Sequence, residues 1–162
     1  MDLGLEGWSD FNVAMVGATA ALAGLVIVAA SVNVEAIIKS LSLTARLATV
    51  IANLMVALAG SAIALMPGVN GAGYGVIVVL LAVCALAFHV HAVRRIRADS
   101  VNNALQHAQV LSGFLAPVGF LVGGVLVLAG SPSGLLWFGC ASIVAVAYTL
   151  VISWIVLIEV LR

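Results

Sequence analysis

The chain has 162 residues, of which 65% are hydrophobic and only 7% are charged, and its six basic and six acidic residues cancel to a net charge of zero. A soluble domain is about 25% charged, so this chain lacks the polar residues that coat a water-soluble fold. Without a basic excess we expect no nucleic-acid partner. A mean hydropathy of +1.32 instead predicts that the lipid bilayer surrounds most of the surface.

Five apolar runs are each long enough to cross a membrane as a helix. About 20 residues, at roughly 1.5 Å per residue, cover a hydrocarbon core of about 30 Å. The runs are continuous rather than alternating, which favours helices over a barrel. We therefore predict one all-α transmembrane domain over residues 1–162 with five spanning helices. The predicted spans are residues 11–38, 44–66, 73–95, 108–130 and 134–160.

The basic residues predict the orientation of these spans. They occur in three places that five spans put on the same side of the membrane, whereas the other two connections and the N-terminus have none. Lysine and arginine concentrate on the cytoplasmic side, so we expect the N-terminus outside and the C-terminus in the cytoplasm. Three of the arginines could also hold an anionic lipid headgroup, namely Arg94, Arg95 and Arg97. The other basic residues are Lys39, Arg46 and Arg162.

A polar row is expected on the second predicted span. Asn53 lies roughly 12 Å deep at the rise of a helix, where an unpaired amide is costly. Thr49 precedes it by one turn, and Arg46 lies near that face at the inner mouth. Asn33 of the first span would lie at a depth similar to that of Thr49. These four residues predict either the polar lining of a solute path or a hydrogen-bonded clamp between the first two helices. Clamps are the more frequent arrangement in membrane proteins.

The first predicted span combines a polar row with many small residues. One set recurs every seven residues and so lies on nearly one face: Asn12, Thr19, Val26 and Asn33. The small residues of the same span include Ala14, Gly17, Ala18, Ala20, Ala21 and Gly24. Gly119 and Gly123 form a second small pair in the fourth span. Such spacing lets helix backbones approach closely, within one chain or between subunits of an oligomer.

Pro117 is expected to bend the fourth predicted span. Proline removes one backbone hydrogen bond and clashes with the preceding turn, so we predict a kink at this position. The kink could act as a hinge for a gate, or it could only shape the packing of the helices.

Three histidines lie near the predicted cytoplasmic boundary. His89 and His91 differ by about 200° around a helix, so they cannot bind one ion from the same helix. His107 begins the fourth predicted span near the same boundary and could join one of them in a metal, haem or proton site. A metal takes three or four ligands, which the neighbouring sequence does not readily supply. A proton site needs fewer partners because histidine changes its charge near neutral pH.

The first span also carries a family resemblance. Residues 8–33 read WSDFNVAMVGATAALAGLVIVAASVN, an aromatic-containing start followed by AALAGL and then Ser-x-Asn. This pattern resembles the opening of small bacterial multi-pass membrane proteins of unassigned function and covers about a sixth of the chain. The resemblance implies a location in the bacterial inner (plasma) membrane. It implies no mechanism and no site residue.

The sequence has no nucleophile–base arrangement within reach of water, no phosphate loop and no metalloprotease or dinucleotide-binding motif. We therefore expect no enzymatic activity and no cofactor. One five-helix bundle is small for a transport pathway of its own, which favours a closed homo-oligomer. Our leading prediction is a small homo-oligomeric channel or permeation protein for ions or small solutes. The alternative is a non-catalytic accessory or scaffold subunit of a larger membrane complex, and a third hypothesis is haem or quinone handling around the three histidines.

Overall fold

The computed structural model describes residues 4–99 and 112–160, and within these residues every regular element is a helix. A short 3-10 helix at Leu5–Trp8 leads directly into the first α-helix. The six α-helices are α1 (Ser9–Val32), α2 (Val34–Lys39), α3 (Leu41–Ala64), α4 (Gly71–Asp99), α5 (Leu115–Leu128) and α6 (Ser133–Val160).

Four segments are long and apolar enough to cross a membrane, which agrees with the predicted class of all-helical membrane protein. They are Leu5–Val32, Leu43–Ala64, Gly71–Arg94 and Ser133–Val156. Helix α5 is also apolar but has only 14 residues, about 21 Å at helical rise, which is shorter than the hydrocarbon core. Residues 108–111, with which the predicted fourth span begins, lie outside the described residues. The count of five spans therefore stays a prediction.

The first predicted span, 11–38, is interrupted at Asn33, where we had expected a continuous helix. The backbone of Asn33 has φ −109° and ψ 23°, and its side-chain Nδ2 donates to the carbonyl of Ala29 at 3.0 Å. That carbonyl is the acceptor that the Asn33 backbone N–H would use in a regular helix. Asparagine ends helices through this kind of competition, so α1 stops at Val32 and the short helix α2 follows.

Helix α3 lies at the centre of the bundle. It packs against α1, α4 and α6, and Val50, Leu54 and Ala57 on it have no exposed surface. Helix α5 packs between α4 and α6, whereas α1 packs mainly on α3 and barely touches α6. The bundle is therefore a dense group of α3, α4, α5 and α6 with α1 attached to one side.

Glycines bring α5 close to its neighbours. A Cβ atom on Gly123 would lie 2.9 Å from the Gly134 carbonyl oxygen and 2.9 Å from the Phe138 backbone nitrogen, both on α6. A Cβ atom on Gly119 would lie 2.9 Å from the Cβ of Ala141. These positions tolerate only glycine at this helix separation. The predicted small pair at 119 and 123 thus serves packing within the chain, as small residues do between membrane helices.

Helix α1 presents an uncovered surface of small residues, which we call the α1 small face. A Cβ atom on Gly17 or Gly24 would meet no atom within 4 Å. Around these glycines lie further exposed residues, namely Ala14, Ala18 and Ala21. The opposite side of α1 carries the buried residues Asn12, Met15, Thr19, Ala23 and Val26. The predicted seven-residue row is therefore buried from position 12 to position 26.

Candidate functional site: buried polar groups inside the bundle

The central helix α3 carries a row of buried residues, most of them polar, which we call the α3 row. Its members recur every three or four positions, so they lie along one side of the helix. They are Arg46, Thr49, Asn53, Ala57 and Ser61, and none is more than 9% exposed. From first to last the α3 row extends about 22 Å along the helix axis at helical rise, most of the thickness of a hydrocarbon core.

Two members of the α3 row have buried side-chain polar atoms that bond no described residue. Among the described residues nothing bonds the amide nitrogen or the amide oxygen of Asn53, or the hydroxyl of Ser61. Both residues have 0% exposed surface. Burying such groups unpaired costs roughly 1–3 kcal/mol each in proteins, and more where no water is near. The predicted clamp would require Asn53 to bond a neighbouring helix, and this structure contains no such bond at that residue.

Several other buried hydroxyl groups are satisfied within their own helices. The Thr49 hydroxyl donates to the Arg46 carbonyl at 2.7 Å, and the Thr19 hydroxyl donates to the Met15 carbonyl at 2.6 Å. On α6, Ser142 donates to the Phe138 carbonyl at 2.9 Å. Serine and threonine commonly bond one turn back in this way. The unpaired groups of the α3 row therefore differ from these intrahelical hydroxyl groups in the same bundle.

Asn33 lies near the Arg46 end of the α3 row without joining it. It lines a small cavity with Leu47 of α3 and Ser153 of α6, and its amide bonds its own helix. The Ser153 hydroxyl in the same cavity has no partner among the described residues. Of the four residues predicted to line a path, the structure thus places three on one side of α3 and the fourth at the break between α1 and α2.

His89 is a second buried polar residue with an unpaired atom. It is 2% exposed, and its Nδ1 lies 3.1 Å from the carbonyl oxygen of Ala85 one turn earlier. A carbonyl can only accept, so Nδ1 carries the hydrogen and donates it. In the neutral ring Nε2 then holds a lone pair and acts as an acceptor. No described residue donates to it, while the ring packs against Phe114 with centroids 5.5 Å apart.

Gly113 and Tyr148 complete the surroundings of His89. A Cβ atom on Gly113 would lie 2.9 Å from the Tyr148 hydroxyl oxygen and 3.4 Å from Nε2 of His89, so both polar atoms border the same residue. Tyr148 also packs against the buried apolar cluster that includes Leu47 and Val50 of α3, and Leu47 follows Arg46 in the chain. Helices α3, α4 and α6 and the residues before α5 therefore bring polar groups together at the end of the α3 row. We call Arg46, His89 and Tyr148 the inner cluster.

The remaining predicted residues lie away from the inner cluster or outside the described residues. His91 and Arg94 are exposed, so the two histidines of the third span point to different sides as predicted. The side chains of Arg95 and Arg97 and the whole of His107 lie outside the described residues, so a partnership of His89 with His107 is not observed. Within residues 4–99 and 112–160 no group of three or more His, Cys, Asp or Glu residues could hold a metal ion.

Pro117 lies in the first turn of α5 rather than in the middle of a longer helix. The helical residues Ser112 and Gly113 are followed by a turn at Phe114, after which α5 begins. Because proline lacks a backbone N–H, the Gly113 carbonyl loses the donor one turn ahead. The interruption of the helix thus falls three residues before Pro117 and beside His89 and Tyr148.

Sequence reasoning missed Tyr148, and it noted Gly113 only as the residue one turn before Pro117. Neither has a motif around it, because Tyr148 lies in a long apolar run and Gly113 resembles the packing glycines nearby. One signal for Gly113 was its position four residues before Pro117, which marks the carbonyl that proline leaves unpaired.

Comparison of the chain with known protein families, with curated proteins and with solved structures finds no match.

Proposed function

We propose that the chain is a homo-oligomeric channel or permeation protein for ions or small solutes in the bacterial inner (plasma) membrane. The observation that carries this proposal is the α3 row, with its unpaired groups at Asn53 and Ser61. The resemblance of the first span supports the bacterial location. We further propose five spans with the N-terminus outside, supported by the placement of all basic residues on one side.

The unpaired groups support a wet path because they have no structural use in the packed state. An asparagine that bonds nothing weakens a membrane bundle, since lipid offers no partner to its amide. Water or a permeating solute would provide the missing bonds. Polar residues inside membrane spans mark solute and ion pathways for this reason.

Passage along the α3 row requires the helices to move. Asn53, Ala57 and Ser61 have no exposed surface, so under this proposal the structure is the closed state. The helix break at Phe114 and the proline at 117 offer a hinge for α5, as the sequence predicts. A hinge there would change the packing around Gly113, His89 and Tyr148 at the inner end of the row.

The α1 small face supports assembly into an oligomer. Five exposed small residues on one helix would let a second copy approach closely, and Gly17 and Gly24 leave open space for its backbone. A ring forms if this face contacts a different face of the next subunit. A native mass measurement in mild detergent tests the assembly, and we expect one closed oligomer of this chain alone.

Solute flux into proteoliposomes tests the permeation function. We expect the unmodified protein to raise the flux of at least one ion or small solute above that of empty vesicles. Asn53→Leu should remove most of that flux, because the leucine side chain takes the amide's place with an apolar group. The matched control is Ser142→Ala, which removes a buried hydroxyl that is already bonded within its own helix. Equal flux from the Asn53→Leu variant would exclude Asn53 from the path.

An accessory or scaffold subunit is the second candidate, and the same α1 small face favours it. A partner protein could cover the face in place of a second copy. Purification from native membranes separates the two functions, since a scaffold subunit would co-purify in fixed proportion with other proteins and would show no flux in vesicles.

The third candidate, haem or quinone handling, is favoured by the His89 ring alone. Its Nδ1 bond to a backbone carbonyl fixes the ring and leaves the Nε2 lone pair available, which is how proteins orient histidine ligands. Purified protein with the strong visible absorption of haem would support this candidate, whereas colourless protein free of extractable quinone would exclude it.

A further inference from the structure

We infer that the ring of Phe138 is a gate that closes the Ala64 end of the path along α3. This inference rests on the proposed permeation function and adds how passage is controlled. Three features of the structure support it: the place where the ring meets α3, the two rings that hold it there, and a pocket that lies beyond it.

The Phe138 ring of α6 lies against the side of α3 that carries the α3 row. A Cβ atom on Gly60 would lie 2.5 Å and 2.6 Å from the Cε2 and Cζ atoms of this ring, so the ring occupies the space that any side chain at position 60 would need. Gly60 follows Asn53 by seven residues, about 10 Å along the axis and within about 20° around the helix. It directly precedes Ser61. A solute that moves from Asn53 towards Ala64 would therefore meet the ring.

Two further aromatic rings hold Phe138 in this position. The Tyr74 ring of α4 meets it edge to face with centroids 5.9 Å apart, and the centroid of the Phe120 ring of α5 lies 5.4 Å from it. All three side chains are buried, and they pack in one apolar cluster with Val56 and Ala57 of α3. Rings from three helices thus converge on α3 and form an apolar constriction. Such constrictions exclude water and stop conduction until they widen.

A pocket lies beyond this constriction, at the end of α3. Its volume is about 420 Å³, and residues 64–69 line it together with the polar side chains of Glu6 and Ser9. Ala64 both lines this pocket and packs against the apolar cluster of Phe138. It follows Gly60 by one turn, on the same side of α3. The three rings therefore lie between the pocket and Asn53, and a solute that enters through the pocket would stop at them.

The helix break before α5 gives the gate a means of opening. Phe120 lies six residues after the turn at Phe114, on the part of α5 that the proposed hinge would move. Displacement of α5 would take the Phe120 ring away from Phe138. The Phe138 side chain would then have room to rotate off Gly60, which has no side chain to hold it. The hinge at one end of α5 and the gate would thus move together.

The test compares the unmodified protein with Phe138→Ala in proteoliposomes that hold the full chain. Potassium and chloride entry is followed with ion-sensitive dyes, and urea and glycerol entry by light scattering after rapid mixing. We expect Phe138→Ala to raise the entry of at least one of these permeants at least about tenfold, because the constriction is removed. The matched control is Ile152→Ala on the same helix, since Ile152 and Phe138 are both 2% exposed. Ile152 lies about 21 Å from Phe138 along the axis, so entry should change less than about twofold.

A double variant shows whether the added flux follows the α3 row. Adding Asn53→Leu to Phe138→Ala should lower the entry at least about fivefold, whereas a leak through a loosened bundle would persist. Unchanged entry with Phe138→Ala, an equal rise with Ile152→Ala, or entry that survives the added leucine would overturn the gate. Entry through the unmodified protein would still support the permeation function in those cases. Vesicles tight to all four permeants with both the unmodified protein and Phe138→Ala would overturn that function as well. If Phe138→Ala does not fold, Phe138→Leu replaces it, with an expected rise of at least about threefold because leucine is shorter than the ring.

Discussion

The contact between α5 and α6 should be intolerant of a single added methyl group at position 123. Gly123→Ala would place a Cβ atom 2.9 Å from two backbone atoms of α6, whereas ordinary contacts of a Cβ atom begin near 3.4 Å. Backbone atoms cannot rotate away as a side chain can, so the two helices must separate by about 0.5 Å. A gap of that size forfeits about a quarter or more of the dispersion energy of the atoms that part.

The expected cost follows from two opposing contributions. Overpacking a dense contact costs about 1–3 kcal/mol, and replacing glycine by alanine within a helix returns up to about 1 kcal/mol. Gly24→Ala on α1 is the matched control, since a Cβ atom there meets nothing within 4 Å and gains the same helix preference. The difference between the two variants is therefore the packing cost alone, about 1–3 kcal/mol.

Unfolding by a denaturing detergent, followed by the loss of helical circular dichroism, measures this difference. We expect Gly123→Ala to unfold at a lower detergent fraction than the unmodified protein, and Gly24→Ala to unfold at the same or a higher fraction. If the two variants prove equally stable, then α5 and α6 do not pack as closely as the contacts of Gly123 indicate.

Three further predictions concern the polar groups and the α1 small face. Asn53→Leu should leave the free energy of unfolding unchanged or raise it by up to about 2 kcal/mol, because it removes an unpaired buried amide. A loss of stability in the same unfolding assay would instead support a hydrogen-bonded clamp at Asn53. Gly17→Leu should shift the native mass of the assembly towards smaller species, whereas Val83→Leu on an exposed part of α4 should not. An unchanged mass of the Gly17→Leu variant would show that the α1 small face is not the subunit interface. In membranes at neutral pH, nitrogen NMR of labelled histidine should find the hydrogen of His89 on Nδ1 rather than on Nε2. The opposite tautomer would contradict the assignment of Nε2 as an acceptor.

Helix class and several faces of the helices follow from periodicity in the sequence. The buried positions Asn12, Thr19 and Val26 follow the seven-residue row, because helical geometry alone keeps such residues on one side. The separation of His89 from His91 follows from the same geometry. These features are local, so the sequence contains what is needed to predict them.

Other features depend on contacts that the sequence does not record. The break at Asn33 comes from a side chain that competes for the carbonyl of Ala29, and many asparagines in helices do not do this. Tyr148 reaches the inner cluster only because α6 packs against α3 and near Gly113. Whether Asn53 bonds a neighbouring helix or remains unpaired also depends on what lies opposite it, and this distinction separates a clamp from a path.

Some residues of the bundle hold its helices together, whereas others have polar atoms whose burial does not stabilise it. Lipid gives helices no hydrophobic reason to associate, so close packing must provide the cohesion. Here Gly123 and Gly134 bring backbone against backbone between α5 and α6, and Gly119 admits the Cβ of Ala141. The amide of Asn53 and the Nε2 atom of His89 add nothing to that cohesion, since no described residue bonds them. A chain stabilised by glycine contacts would lose nothing by carrying leucine and phenylalanine at those two positions, so their polar atoms are best explained by a molecule that occupies the interior for part of the time.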